Sequence, residues 1–363
     1  MKNTFGNNIS ITLFGESHGR SVGCVLDGVP AGIPVDYDNI IRLLALRRPE
    51  GAISTARSEK DEFLIHSGVF NGFTVGTPIC ITIPNNDTRS SDYEDITRLA
   101  RPSHADYTAH IKYRGYEDPR GGGHFSGRIT AALVAAGGII LPALNRKGIK
   151  IGTHIASCAG VKDREFDNYE NDIDSLADLS FAVLDNDKAN EMQSNILKAK
   201  EDLDSVGGIL ETAIIGLESG VGEPWFDTLE GMLSHALFSV PAVKGVEFGA
   251  GFKFAEMRGS SANDGFYTES GCVHTFTNNS GGINGGISNG MPIVLRCAVR
   301  PTPTIGKEQN TIDYVNLENA KISAKGRHDP CIVHRARIVV DCVCALVIAD
   351  ALAGKHGSDW LAL

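Results

Sequence analysis

A chain of 363 residues with 42% hydrophobic and 21% charged side chains can bury one large core or two ordinary ones, which excludes global disorder. The net charge of -10, from 34 Lys and Arg against 44 Asp and Glu, disfavours a general nucleic-acid surface, so any anionic partner must meet a local cluster of cations. No apolar run reaches the roughly 18 residues of a membrane helix, and the Met1-Lys2-Asn3-Thr4-Phe5 start has no apolar signal region, so the expectation is a cytoplasmic protein with neither membrane nor nucleic acid as partner.

In chain order, 9–14 reads as a strand leading into Gly15-Glu16-Ser17-His18-Gly19, and 22–26 as a second strand. Asp36 or Asp38 is placed to cap a helix over 40–46. Residues 63–74 suggest a hairpin, 79–83 a buried strand and 85–95 a polar loop. The stretch 127–143 is apolar on nearly all sides, as is 338–352, which marks both as helices buried between layers. Segment 161–190 reads as a surface insertion, its acidic part 163–179 without regular pattern. An amphipathic helix over 191–203 follows, then Gly207-Gly208 and a strand at 209–217. No linker divides the chain, so 1–363 is expected as a single domain. The two halves share an order of strand, glycine loop and long helix, which hints at internal duplication. The fold class expected is α+β, a β-α-β sandwich with long apolar helices enclosed between antiparallel sheets.

The eight cysteines, at 24, 80, 158, 272, 297, 331, 342 and 344, form no Cys-x-x-Cys pair and read as buried free thiols; Cys342 and Cys344 face different sides of their helix. There is no P-loop and no His-Glu-x-x-His, and no metal site is expected. The run Gly281-Gly282-Ile283-Asn284-Gly285-Gly286 mimics a dinucleotide fingerprint, but a strand follows it rather than a helix.

Five polar islands remain. Gly15-Glu16-Ser17-His18-Gly19 offers an imidazole on a tight turn, and Arg101-Pro102-Ser103-His104-Ala105-Asp106-Tyr107 an imidazole beside a carboxylate and a cation. Arg120-Gly121-Gly122-Gly123-His124-Phe125-Ser126-Gly127-Arg128 opens a helix, where exposed N–H groups suit a phosphate. The fourth is the 279–288 glycine run with Arg300-Pro301-Thr302-Pro303-Thr304. The fifth is Lys325-Gly326-Arg327-His328-Asp329-Pro330-Cys331, with Arg335 and Arg337 beyond it. Any one of them alone would suit a solvated loop or a glycine hinge. Together, Arg47, Arg48, Arg57, Arg120, Arg128, Arg300, Arg327 and Arg337 suggest one basic pocket for a polyanionic small molecule. Several histidines without an activated nucleophile favour proton transfer and phosphate departure over covalent catalysis.

The islands, in this order, resemble chorismate synthase. The resemblance rests on Thr12-Leu13-Phe14-Gly15-Glu16-Ser17-His18-Gly19, 27–33, Arg47-Arg48-Pro49, 67–70, 101–108, Gly121-Gly122-Gly123, 242–247 and Gly326-Arg327-His328-Asp329-Pro330-Cys331, and covers nearly the whole chain. It implies a monofunctional, FMN-dependent lyase of the shikimate pathway that feeds aromatic amino acid synthesis. Such an enzyme converts 5-enolpyruvylshikimate 3-phosphate to chorismate and phosphate by anti 1,4-elimination. It needs reduced FMN, an external flavin reductant and, in most members, a homotetramer. By resemblance His18 lies beside the flavin, His104 assists the leaving phosphate, and Asp329 with Ser17 and Ser126 handles a proton. FMN contacts are implied for His124, Phe125, Ser126, Pro241, Ala242, Gly285, Arg300, Pro301, Thr302, Pro303, Thr304 and Arg327, and substrate contacts for Arg47, Arg48, Arg128 and Arg327. Departures from the common family pattern fall at 124–130, at Pro241 and at 300–304. NADP also comes with the resemblance, but the second arginine expected shortly after Arg48 falls near Ile53, so a nicotinamide role for that loop has no support. Two rivals remain open: a flavin-independent lyase or phosphatase with the same pocket, and a phosphometabolite-binding protein.

Overall fold

Among the described residues of the computed structural model, 2–55, 60–86, 98–323 and 329–362, the chain forms eighteen strands and eight helices. The first half gives strands β1 (Thr4–Phe5), β2 (Ser10–Gly15) and β3 (Ser21–Asp27), then α1 (Tyr37–Arg47), which Asp36 caps by accepting from the Asn39 N–H at 3.0 Å. β4 (Leu64–Ile65), the hairpin β5 (Val69–Phe70) and β6 (Phe73–Thr74), and β7 (Ile79–Pro84) follow, then α2 (Asp106–Tyr113) and α3 (Thr130–Arg146).

The second half runs β8 (Lys150–Cys158), β9 (Val161–Lys162), α4 (Tyr169–Leu176), α5 (Asn186–Glu201), β10 (Gly208–Ile215), α6 (Leu229–Leu237) and β11 (Val243–Phe248). A single turn, α7 (Gly259–Ala262), precedes two hairpins, β12 (Phe266–Glu269) with β13 (Cys272–Thr275) and β14 (Ile283–Asn284) with β15 (Ile287–Ser288). Then come β16 (Ile293–Val299), the pair β17 (Gln309–Asp313) and β18 (Glu318–Ile322), and α8 (Val333–His356).

Two five-stranded antiparallel sheets result, ordered β1-β2-β3-β7-β4 and β11-β16-β10-β8-β9. With the small hairpins, β1, β9, α2, α4, α5 and α7 set aside, each half runs strand, strand, helix, strand, strand, long helix (β2, β3, α1, β4, β7, α3; then β8, β10, α6, β11, β16, α8), and in each set of four strands the fourth lies between the second and third. The duplication expected from the sequence is therefore a shared topology. α3 packs on β3 and β7, α8 packs on β8 and β10, and the two helices pack on each other, which is the enclosed-helix sandwich.

Small residues set that helix contact. A Cβ on Gly137 would overlap the Cys342 side chain and lie within 2.8 Å of its Cα. Gly137→Ala should therefore lose about 1–3 kcal/mol in chemical denaturation through overpacking, although alanine is the better helix former by about 1 kcal/mol. Wild-type stability in that variant would contradict this close approach. α8 is tied to the chain's start as well: the Asp350 carboxylate accepts from the N–H groups of Asn7 (3.0 Å), Asn8 (2.6 Å) and Ile9 (2.9 Å).

Several expectations are corrected. Leu64–Ile65 joins the first sheet beside β7, leaving the hairpin to 69–74, because Leu64 and Ile65 pair with Thr82 and Ile81. Helix α8 begins five residues before 338, and α5 begins at Asn186. The run Gly127–Arg146 is long and apolar enough to cross a bilayer, contrary to the reading of the sequence, but 83% of its most apolar window is buried inside the fold. The supposed surface insertion is partly interior. It forms α4, and Ile173, Leu176, Ala182 and Val183 are buried. Asp163 pins it there, accepting from the N–H groups of Leu184 and Asp185 and from His154 Nδ1 at 2.9 Å. His154 Nε2 donates to Glu211 at 3.0 Å; burial alone would lower this imidazole's pKa, but the two carboxylates raise it.

Candidate active site

The triple glycine is the hub around which two histidines gather. Gly121, Gly122 and Gly123 all have positive φ, a backbone that no β-carbon-bearing residue adopts cheaply. A Cβ on Gly121 would overlap the His18 ring and come within 2.8 Å of Ser17 Oγ, and one on Gly122 would lie 3.3 Å from His104 Nε2. The glycine loop thus brings the first and second islands together. Ser17 is wholly buried, its N–H bonded to the Gly123 carbonyl, its hydroxyl sharing a hydrogen bond with His18 Nδ1 at 3.1 Å. His124 Nδ1 donates to the Gly15 carbonyl at 2.7 Å. Gly121→Ala should cut kcat on the order of 10²-fold by displacing His18 while leaving the fold intact; steady-state kinetics checks this, and an unchanged kcat would refute the placement.

His104 forms a dyad. Its Nδ1 donates to Asp106 Oδ1 at 2.7 Å, and Arg101 grips the same carboxylate through Nε (2.8 Å) and a terminal nitrogen (2.6 Å). Burial presses the Asp106 carboxyl upward, but the hydrogen bonds from Arg101 and His104 hold it well below the usual carboxylate range. An ionised Asp106 fixes the proton on Nδ1 and leaves Nε2 to exchange one with a ligand.

The dyad opens onto two adjoining cavities. One, of 380 Å³, is bordered by His104, Asp106, His124, Tyr113 and Tyr314. The other, of 470 Å³, is bordered by His104, His124, Phe125, Ser126, Pro241, Ala242 and Arg300. Six of the expected FMN contacts, His124, Phe125, Ser126, Pro241, Ala242 and Arg300, therefore meet in one place. Arg300 donates to the Ser103 carbonyl at 2.6 Å, while its buried Nε has no hydrogen-bond partner among the described residues. The chain from Arg300 through Thr304 then leads toward Asp329, whose carbonyl accepts from the Thr302 hydroxyl at 2.5 Å.

Beyond this lies the arginine cluster. Arg47 and Arg128 are both buried and both pair with the carboxylate of Asp61, Arg47 at 2.7 Å. Burial opposes the Asp61 charge, but the two guanidiniums hold its pKa below the ordinary value. Arg47 Nε is buried without a partner among the described residues, a donor suited to an anion. Arg128 donates to Asn85 Oδ1 at 2.9 Å, and Asn85 donates to the Glu16 and Gly19 carbonyls, both at 2.9 Å, which joins this cluster to the His18 loop. Ser126 Oγ accepts from the Arg128 N–H. Arg335 donates to Asp329 at 2.8 Å and to the Arg47 carbonyl at 3.0 Å, and the other Asp329 oxygen accepts from the Thr55 N–H at 2.9 Å. Arg48 donates to the Lys60 carbonyl at the edge.

Some expected residues stand apart. Arg337 is buried in the second half, paired with Asp341 and bonded to the carbonyls of Leu176, Ala177 and Leu179, so it supports structure and does not belong to the pocket. Arg120 pairs outward with Asp118. Gly285 lies in the β14–β15 turn, and its neighbour Gly286 packs on Thr228 at the start of α6, whereas the cleft meets α6 only at His235 and Ala236 near its other end. Arg57, Lys325, Gly326, Arg327, His328 and most of the 85–95 loop lie outside the described residues. Asp61 was not anticipated.

The profile of the family described as chorismate synthase matches residues 9–353. Curated relatives named chorismate synthase include one from Korarchaeum cryptofilum, 44% identical over 95% of this chain and 96% of its own length, and one from Archaeoglobus fulgidus, 46% identical over 96% and 97%. A solved structure titled "Crystal Structure of Chorismate Synthase" superposes with a TM-score of 0.76 at 30% identity, covering 97% of this chain and 94% of that one. With the enclosed-helix sandwich and the convergent histidine and arginine loops, these likenesses show that the chain belongs to the chorismate synthase family, the lyases that serve aromatic amino acid synthesis.

Proposed function

We propose that the chain converts 5-enolpyruvylshikimate 3-phosphate to chorismate and phosphate by anti 1,4-elimination, with reduced FMN as its cofactor. The observation that carries the reading is the meeting of His124, Phe125, Ser126, Pro241, Ala242 and Arg300 on one cleft, beside the His104–Asp106 dyad. That wall fits a flavin: an aromatic ring, small residues and a buried guanidinium nitrogen without a partner among the described residues, suited to an anionic tail. When bound there, reduced FMN would lend electron density that weakens the scissile carbon–oxygen bond.

The chain's own residues do the rest. Arg47, Arg48 and Arg128 hold the substrate's anionic groups, and Asp61 fixes the two buried guanidiniums. His104 Nε2 gives a proton to, or donates a hydrogen bond to, the departing phosphate oxygen, with Asp106 stabilising the imidazolium. Asp329, oriented by Arg335 and the Thr55 N–H, takes part in moving the ring proton together with Ser17 and Ser126. A homotetramer, a cytoplasmic setting and an external supply of reduced flavin belong to the same reading. Anaerobic assay with dithionite-reduced FMN, and with FMN omitted, tests it. Turnover only with reduced flavin is expected; turnover without flavin would overturn the cofactor assignment, and hydrolysis of simple phosphate esters would favour a phosphatase.

A further inference from the structure

Two thiols meet beside this site. Cys158 closes β8, and Cys331 lies two residues after Asp329, ahead of α8. They are 173 positions apart in sequence, both are buried, and their sulfurs are 3.5 Å apart. We propose that Cys158 and Cys331 are a modification site, a dithiol that a small hydroperoxide converts to a reversible disulfide and so switches the lyase off.

The pair is chemically asymmetric. The hydrogen bond from Cys158 and the nearby His334 hold the Cys331 thiol below its ordinary range, while that shared hydrogen bond and burial push Cys158 up. Cys331 is therefore the nucleophile and Cys158 the resolving thiol. The Cys331 thiolate attacks the peroxide oxygen, giving a sulfenic acid and hydroxide; the Cys158 sulfur then displaces that hydroxyl. With hydrogen peroxide, two thiols and one peroxide become one disulfide and two waters. Each sulfur has the other as its nearest thiol, so the bond forms within the pair.

The consequence follows from what each sulfur is attached to. A disulfide near 2.05 Å requires the sulfurs to approach by about 1.5 Å. Cys158 is held in the second sheet, paired with Val161 on one side and Gly208 on the other. Cys331 belongs to a loop. The loop yields, and the movement passes through Pro330 to Asp329, whose two oxygens hold Thr55 and Arg335. An ångström of misplacement there can cost on the order of 10²-fold in rate.

The effect on turnover rests on the role proposed above for Asp329; bond formation does not. In the test, enzyme carrying Cys272→Ser, which removes the exposed cysteine, is treated with hydrogen peroxide, cleared of it, and assayed anaerobically with photoreduced FMN before and after dithiothreitol. Intact mass and peptide mapping are read in parallel. Activity before peroxide reports on the lyase reading alone. The switch predicts a loss of about 2 Da, a linked peptide joining Cys158 to Cys331, activity down at least about tenfold, and recovery with dithiothreitol. Cys158→Ser should lose the link and, with it, most of the peroxide-dependent fall in activity, and the peptide map of the parent enzyme decides the matter if that variant does not fold. No linked peptide, or a linked enzyme of full activity, overturns the proposal.

Discussion

Asp61→Asn should lose about 3–5 kcal/mol of stability in chemical denaturation and bind substrate poorly. The carboxylate is fully buried between Arg47 and Arg128. Removing its charge leaves two guanidiniums facing each other out of water, and breaking a buried pair costs about that much because the remaining charge is uncompensated. The folded pKa of Asp61 lies below its ordinary 3.8, so the group contributes stability that is complete above that value and is lost as pH falls through the folded pKa. The parent chain should therefore lose stability in acid more steeply than Asp61→Asn, which has already lost the contribution. Equilibrium denaturation from pH 7 downward tests both statements. A variant within about 1 kcal/mol of the parent at neutral pH would show that solvent reaches the cluster and screens it.

His104→Ala should lower kcat by about 10²–10⁴-fold with little change in KM or stability, the range for loss of a positioned general acid. Asp106→Asn should fall between that variant and the parent. It keeps the geometry but no longer fixes the proton on Nδ1 or supports an imidazolium. It also removes the negative charge between Arg101 and His104, so some stability is lost with the activity. Steady-state kinetics against substrate separates kcat from KM. A His104→Ala enzyme with parental kcat would move the proton donor elsewhere, and His18 would be the next residue to replace.

Short-range chemistry was legible in the sequence. The Gly15–Gly19 turn, the Arg101–Asp106 run and the triple glycine each announce themselves within a few residues, and the all-round apolar character of 127–143 and 338–352 marks the buried helices. What could not be read was long-range. Asp61 matters because it meets Arg47, 14 positions away, and Arg128, 67 away; in the sequence it is one acidic residue in a polar stretch. Arg337 failed in the opposite sense. It sits two residues from Arg335 on the same helix, yet that spacing turns it to another face, where backbone carbonyls receive it. Leu64–Ile65 looked like a hairpin arm because a two-residue strand carries too little pattern to reveal its partner. Segment 161–190 reads as a surface feature on its acidity, whereas Asp163 satisfies the buried His154 and Asp172, itself buried, pairs with Arg164.

α8 covers the second sheet and packs on α3, yet it is contributed by residues that follow every strand of both sheets. During synthesis α3 can cover the first sheet as soon as it emerges, but the inner face of the second sheet stays open until residues 333–356 have cleared the ribosome. Closure then brings Asp350 to Asn7, across 343 positions. Assembly of this kind is slow for its size and leaves apolar strands exposed for tens of seconds at about 5–20 residues per second of translation. Loss of the last two turns of the helix should therefore leave the nascent chain aggregating rather than yield a slightly weakened enzyme.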